Sequence, residues 1–102
     1  FETFVFDALG LAETSVTLEV DRDSEFSPVK NRLGIDSPDT ARAQLCALHA
    51  KWAQEAGMTL PEAGEDGVIA VEVDPLLAED QETFLACLPR TPLETNDGQL
   101  YY

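Results

Sequence analysis

Four groups of side chains in this 102-residue chain have types and spacings that allow chemistry: a lysine, a thiol–imidazole pair, a run of carboxylates and a pair of aromatic rings. Lys30 sits in Glu25-Phe26-Ser27-Pro28-Val29-Lys30-Asn31 and is the only lysine or arginine between Arg22 and Arg32. A lone ammonium in an acidic chain suits an anion contact as a compact point charge, although a loop lysine taken by itself is more simply solvated. Cys46 and His49 lie three apart, which is half a zinc site, with Cys87 the only further thiol. Beside Leu45, Leu48 and Trp52 they read more simply as packing residues, and nothing orients the imidazole for Cys/His catalysis. Asp21, Asp23 and Glu25 alternate and offer oxygen ligands to a divalent cation. They lack the glycine and terminal glutamate of an EF-hand loop, so a solvated acidic turn is the simpler reading. Phe4 and Phe6 suit a core, and equally a ligand wall, because aromatic rings pack on the apolar faces of sugars and acyl groups.

The elements that must position these residues follow from periodicity. Phe1, Phe4, Val5, Ala8, Leu9 and Ala12 recur at spacings of three and four, one face of an amphipathic helix over residues 1–12. Phe6 and Leu11 fall off that face, so the helix is expected to be covered on two sides. Val16, Leu18 and Val20 alternate with Ser15, Thr17 and Glu19, predicting a half-buried strand closed by the turn residues Asp21-Arg22-Asp23-Ser24. Pro28 holds Ser27 away from helical angles and keeps the loop extended. Ser37-Pro38-Asp39-Thr40 is a helix start: a cap, a proline at the first helical position and an acid at the positive end of the dipole. The helix should run from Pro38 to Ala56 and stop at Gly57. Ala41, Leu45, Leu48 and Trp52 are its expected buried stripe, with Arg42, Gln44, Lys51 and Glu55 facing solvent. Residues 60–67, rich in Gly, Pro and acid, read as a linker. A strand is expected over Val68–Val73, a short acidic helix over Ala78–Leu88 with Phe84 and Leu88 inward, and an irregular tail from Pro89 to Tyr102 with turn residues at Asn96-Asp97-Gly98.

Six basic against twenty acidic residues give a formal charge of -14. Such a chain repels the phosphates of nucleic acids and anionic membrane surfaces, and it has no apolar run near membrane-spanning length. Neither nucleic acid nor membrane is an expected partner. An apolar fraction of 44% is that of a globular protein. Two cysteines without a dense framework fit a reducing compartment, which points to the cytoplasm. Residue 1 is Phe, set directly inside an apolar-rich segment, so the chain reads as a piece of a longer one.

Three blocks, in this order and spacing, resemble the eukaryotic-type UDP-N-acetylglucosamine pyrophosphorylases: Phe1-Glu2-Thr3-Phe4-Val5-Phe6-Asp7, Leu18-Glu19-Val20-Asp21-Arg22, and Glu25-Phe26-Ser27-Pro28-Val29-Lys30-Asn31. The resemblance continues through Asp36-Ser37-Pro38, Thr40-Ala41-Arg42, Leu48-His49 and Trp52, covering residues 1–57, and is weaker at Val71-Glu72-Val73-Asp74-Pro75-Leu76-Leu77. Asn31-Arg32-Leu33-Gly34 departs from the family's usual residues. The resemblance implies an α/β fold: the C-terminal part of a nucleotide-diphospho-sugar transferase-like catalytic domain with a Rossmann-like mixed sheet (residues 1–57), a linker (58–67) and a small α+β C-terminal subdomain (68–102).

It also implies an activity for a longer parent. An oxygen of N-acetylglucosamine 1-phosphate attacks the α-phosphorus of UTP, and pyrophosphate leaves, giving UDP-N-acetylglucosamine. By this resemblance Phe4 and Phe6 line the pocket for the amino sugar and its N-acetyl group, Lys30 approaches the substrate phosphates, and Asn31 belongs to the substrate contacts. Mg2+ would be held mainly by the upstream part. So would the uracil and the family's glycine-rich nucleotide loop, which this sequence does not contain. The partners implied are UTP, the sugar phosphate, the sugar nucleotide and the rest of the parent enzyme, with this chain alone inactive. The sugar itself is left open between N-acetylglucosamine and N-acetylgalactosamine. A competing reading is an acidic interaction domain with a dead site, and a metal-dependent hydrolase built on Asp21, Asp23 and Glu25 ranks last. Exposure of Phe1, Phe4, Val5 and Phe6 separates the first two: a self-sufficient domain buries those rings, whereas an incomplete one leaves an apolar patch of roughly several hundred Å2.

Overall fold

A computed structural model describes residues 4–87 together with the backbone of 93–94 and 100–101. Its elements are a 3-10 helix (Val5–Leu11), α1 (Arg22–Glu25), α2 (Pro38–Glu55), β1 (Val71–Glu72), α3 (Gln81–Cys87), β2 (Leu93–Glu94) and β3 (Leu100–Tyr101).

The long helix forms as its start sequence requires. The Ser37 hydroxyl accepts from the Thr40 N–H at 3.4 Å, and Thr40 Oγ1 accepts from the Ser37 N–H at 2.9 Å, a reciprocal capping box with Pro38 in the first turn. The helix ends at Glu55 with Ala56 as its C-cap, one residue short of the expected end, and Gly57 then takes φ 75, the left-handed exit that glycine adopts without a Cβ clash.

The face α2 buries is only partly the one expected: Trp52 is buried and Leu48 flanks the core, but Leu45 is exposed. Cys46, His49, Ala50, Trp52 and Ala53 are buried, whereas Leu45 is 51% exposed and Leu48 only flanks the core. Apolar residues run nearly all the way round this helix (Ala41, Ala43, Leu45, Cys46, Ala47, Ala50, Ala53), so periodicity alone does not choose a face. The choice is made by β1 and α3, which pack on the C-terminal half. There Ala50, Trp52 and Ala53 close with Val71, Val73, Ala78 and Phe84, and Leu60 and Met58 pack at the margin. Trp52 lies 6.0 Å from the fully buried Phe84 ring. This core therefore joins residues on both sides of the 58–67 segment. That segment is pinned by Leu60, by a Gly64 N–H to Val68 carbonyl bond of 3.0 Å, and by Arg42 against Asp66 at 3.3 Å.

The described sheet is small: three two-residue strands in the order β1-β3-β2, with β3 parallel to β1 and antiparallel to β2. Val71 pairs with Leu100 and Glu72 with Tyr101, while Leu93 faces Tyr101. The tail expected to be irregular thus supplies two strands, through pairings between segments far apart in sequence that no local pattern announces. Of Val68–Val73 only Val71–Glu72 enters the ladder. The acidic helix is shorter than expected, Gln81–Cys87, because Asp80 caps it: its Oδ1 accepts from the Thr83 N–H at 2.7 Å. Phe84 faces inward as read, whereas Leu88 and Asn96-Asp97-Gly98 lie outside the described residues. The described chain is thus a small, helix-dominated mixed assembly, and the wider Rossmann-like sheet is not formed among the described residues.

No described residue before Ser37 is buried. The expected amphipathic helix is a 3-10 helix with no side-chain cap and no buried residue, Gly10 lying inside it. Short helices draw their stability from packing an apolar face, and this one touches no other element among those described. The half-buried strand expected over residues 15–20 is not formed: they belong to no helix or strand, with Val16 98% and Leu18 84% exposed. Alternation sets which side chains share a face; it does not supply the neighbouring strand. The radius of gyration, 17.5 Å, exceeds the ~13 Å of a compact chain this long, as expected when a third of the sequence lies off the core. No helix of the described residues is long and apolar enough to cross a membrane.

Candidate functional site

The loop between α1 and α2 holds Lys30, and several contacts fix it. At its entry, the Arg22 guanidinium lies 4.7 Å from the centroid of the Phe26 ring, and the Ser27 hydroxyl donates to Gln44 Oε1 on α2. At its base, the carbonyl of Asp36 accepts from both the Lys30 N–H (2.7 Å) and the Asn31 N–H (2.9 Å). The Asn31 side-chain amide donates to the Ile35 carbonyl at 2.8 Å. Lys30 Nζ stands 3.8 Å from Asp36 Oδ2, with the lysine side chain 66% exposed. The ammonium is therefore neither buried nor free: it is tethered on one side and open to an anion on the other. Asn31 uses its side-chain donor inside the loop, which makes it a strut as well as a candidate contact.

Phe4 and Phe6 sit at and just inside the start of the 3-10 helix, 68% and 69% exposed, with Val5 between them at 77%. Phe1 lies outside the described residues. The structure does not gather Phe4 and Phe6 with Lys30, since the 3-10 helix contacts no other described element. What it does show is a run of exposed apolar side chains along the chain, Phe4, Leu9, Leu11, Val16 and Leu18 among them.

Cys46 and His49 are buried on α2, as packing residues are. His49 Nδ1 accepts from the Val73 N–H at 3.1 Å, and its ring lies 5.1 Å from Trp52. Burial pulls the imidazole below its ordinary pKa, against the opposing pull of a Val71 backbone hydrogen bond and the Glu72 carboxylate. The result is a neutral histidine that bolts α2 to the strand. A cleft of about 240 Å3 opens over this pair, between Arg42 and Leu45 on one side and Ala70 and Glu72 on the other. It is smaller than the ~300–1,000 Å3 of typical small-molecule sites. Asp21, Asp23 and Glu25 do not converge: Asp21 Oδ2 accepts from the Ser24 hydroxyl at 3.0 Å, and the other two ride on exposed α1. No three His, Cys, Asp or Glu side chains gather to hold a metal among the described residues.

Sequence reasoning did not single out Asp36 as the residue that contacts Lys30 through both its carbonyl and its carboxylate. The only hint in the sequence was an acid two positions after Gly34 and just before the Ser37 cap; the left-handed φ of 53 that folds it back is not legible there.

Known proteins add an independent line. The chain is 38% identical over 93 residues to UDP-N-acetylglucosamine diphosphorylase 2 of Arabidopsis thaliana, covering 88% of this chain and 18% of that protein. It is 48% identical over 58 residues to human UDP-N-acetylhexosamine pyrophosphorylase-like protein 1, covering 55% of this chain and 11% of that one. It is 38% identical over 81 residues to the UDP-N-acetylglucosamine pyrophosphorylase of Saccharomyces cerevisiae, covering 76% of this chain and 16% of the relative. The chain thus spans less than a fifth of the length of the relatives it matches. No family model matches it, and no solved structure matches it.

Proposed function

We propose, because this chain belongs to the UDP-N-acetylglucosamine pyrophosphorylase family over the segment it shares with those proteins, that it is the C-terminal part of a uridylyltransferase. That enzyme makes UDP-N-acetylglucosamine and pyrophosphate from UTP and N-acetylglucosamine 1-phosphate. The observation that carries the reading is the 93-residue match, which takes in most of this chain. The uncovered rings of Phe4 and Phe6 support it, since a self-sufficient interaction domain would bury them.

In this reading the phosphate oxygen of the sugar substrate forms a bond to the α-phosphorus of UTP as the bond to pyrophosphate breaks. No protein nucleophile takes part. Catalysis is alignment plus positive charge where negative charge builds up. Lys30 brings that charge to the phosphates from this chain, with Asn31 beside it, and Phe4 and Phe6 form the wall against the sugar and its N-acetyl group. Magnesium would supply further neutralisation, but the described residues do not fit it, for want of a ligand cluster. Its ligands, the uracil contacts and the glycine-rich loop belong to the rest of the longer protein. The exposed apolar side chains from Phe4 to Leu18 then pack against that remainder, and the alternating 15–20 segment pairs with its sheet.

The test is a chimera in which the matching segment of the Arabidopsis diphosphorylase 2 is replaced by this chain. Pyrophosphate release from UTP and N-acetylglucosamine 1-phosphate should persist, and Lys30→Ala should lower kcat on the order of a hundredfold, as loss of one preorganised charge does. A folded chimera without activity favours the non-catalytic interaction domain. An unchanged kcat on Lys30→Ala removes Lys30 from the mechanism.

A further inference from the structure

We infer that Asp36 is the positioning residue for Lys30, shaping the loop that carries the lysine and holding its ammonium ready for a substrate phosphate. The inference rests on the reading of Lys30 as the phosphate contact. Asp36 acts through two parts of its structure. Its carbonyl receives the backbone N–H groups of both Lys30 and Asn31, at 2.7 and 2.9 Å, which closes the loop at its neck. Its carboxylate Oδ2 lies 3.8 Å from Lys30 Nζ.

Two further observations make this more than a chance surface pair. Asp36 is the one described non-glycine residue with positive φ, at 53, and Gly34 before it stands at φ 82. The left-handed region is disfavoured for residues with a Cβ, and Asn and Asp enter it most readily. The next residue, Ser37, is fully buried and caps α2. Lys30 is therefore tied, through a single residue, to the fixed start of the longest helix in the chain.

The chemical consequence follows from exposure and donor number. An ammonium has three donors, and one carboxylate at this distance leaves donors free for an outside anion. Such an exposed pair contributes little to stability, so its effect falls on where the ammonium waits. A free lysine gives up much side-chain freedom when a phosphate fixes it, because its stem is among the longest. A lysine already held on one side gives up less, and it meets the phosphate in place. Aligning charge before the reaction is what lowers the barrier in a transfer that needs no nucleophile.

The experiment uses the active chimera. Asp36→Asn keeps the left-handed preference and the carbonyl and removes only the charge; Asp36→Gly keeps the backbone freedom and serves if the first variant folds poorly. Either should lower kcat by about two- to fivefold, the fold-change that an exposed ion pair of ordinary strength corresponds to, with a smaller change in KM for UTP. In the Lys30→Ala background the same substitution should change nothing further. An equal fall in both backgrounds, with Lys30→Ala itself impaired, shows that Asp36 acts on the fold and overturns the inference. No fall in the Lys30 background overturns it as well. If Lys30→Ala leaves kcat intact, the phosphate role of Lys30 has failed, and that outcome is distinct from the other two.

Discussion

Acidification should loosen the core through His49. The imidazole is buried, and its Nδ1 accepts the Val73 N–H at 3.1 Å. A proton on Nδ1 turns that acceptor into a donor facing a donor, and it places a charge beside Trp52. Because burial lowers the folded-state pKa below the ordinary 6.5, the unfolded chain binds the proton more tightly than the folded one. His49 therefore contributes its full stability above the unfolded value, and the contribution is lost as pH falls through the lowered folded pKa. The magnitude of the hydrogen bond comes from His49→Phe, which keeps a ring against Trp52 and leaves the Val73 N–H without its partner. An orphaned buried donor costs about 1–3 kcal/mol, a large part of the ~5–15 kcal/mol that holds a typical domain. Urea unfolding followed by the fluorescence of Trp52, the single tryptophan, reads this directly because that ring lies 5.1 Å from His49. The wild-type midpoint should fall between pH 8 and pH 5, and the His49→Phe midpoint should be lower at pH 8 and flat over that range. An equally stable variant, or one that keeps the wild-type slope, would refute the reasoning.

Other outcomes follow from the same geometry. Ser37→Ala removes half of a buried capping box and should destabilise α2 by ~0.5–2 kcal/mol, measured by thermal unfolding. Asp80→Asn should weaken the start of α3, seen as faster amide exchange at Thr83. The Asp80 carboxyl is held below its ordinary pKa by the Thr83 backbone and side-chain hydrogen bonds, so its contribution is present above the unfolded value of 3.8 and vanishes as pH falls through the lowered folded one. Phe4→Ala and Phe6→Ala should leave the midpoint of the isolated chain within ~0.5 kcal/mol, since both rings are exposed, and a larger loss would mean that they pack on the core. The isolated 102-residue chain should make no sugar nucleotide, and measured synthesis by the pure chain would overturn the assignment of the nucleotide loop to other parts of the protein.

How much of this was legible in the sequence depended on whether the deciding interaction was local. The start of α2 was readable to the residue, because Ser37, Pro38 and Thr40 act within one turn of each other. The buried face of α2 was readable only at Trp52, because the rest of it is chosen by Val71, Val73 and Phe84 from elsewhere in the chain. Residues 15–20 alternate as a strand would, but they form none among the described residues, because a strand is a pairing and no partner for it is there. The tail strands were hidden for the same reason. Of the candidate site, the loop position and openness of Lys30 were visible in advance, as was the packing role of Cys46 and His49. The clamp on Lys30 was not, since it depends on a left-handed Asp36 folding its carbonyl back across the loop. The separation of Phe4 and Phe6 from Lys30 was not foreseen either. In the proposed enzyme the rest of the protein brings them together.

That convergence is the central claim, and saturation transfer NMR of the chimera with UDP-N-acetylglucosamine tests it most directly. The account predicts transfer to the N-acetyl methyl, lost on Phe4→Ala or Phe6→Ala, and no transfer from the 102-residue chain alone. Strong transfer that survives both substitutions would contradict it, because the sugar wall would then be built without this chain.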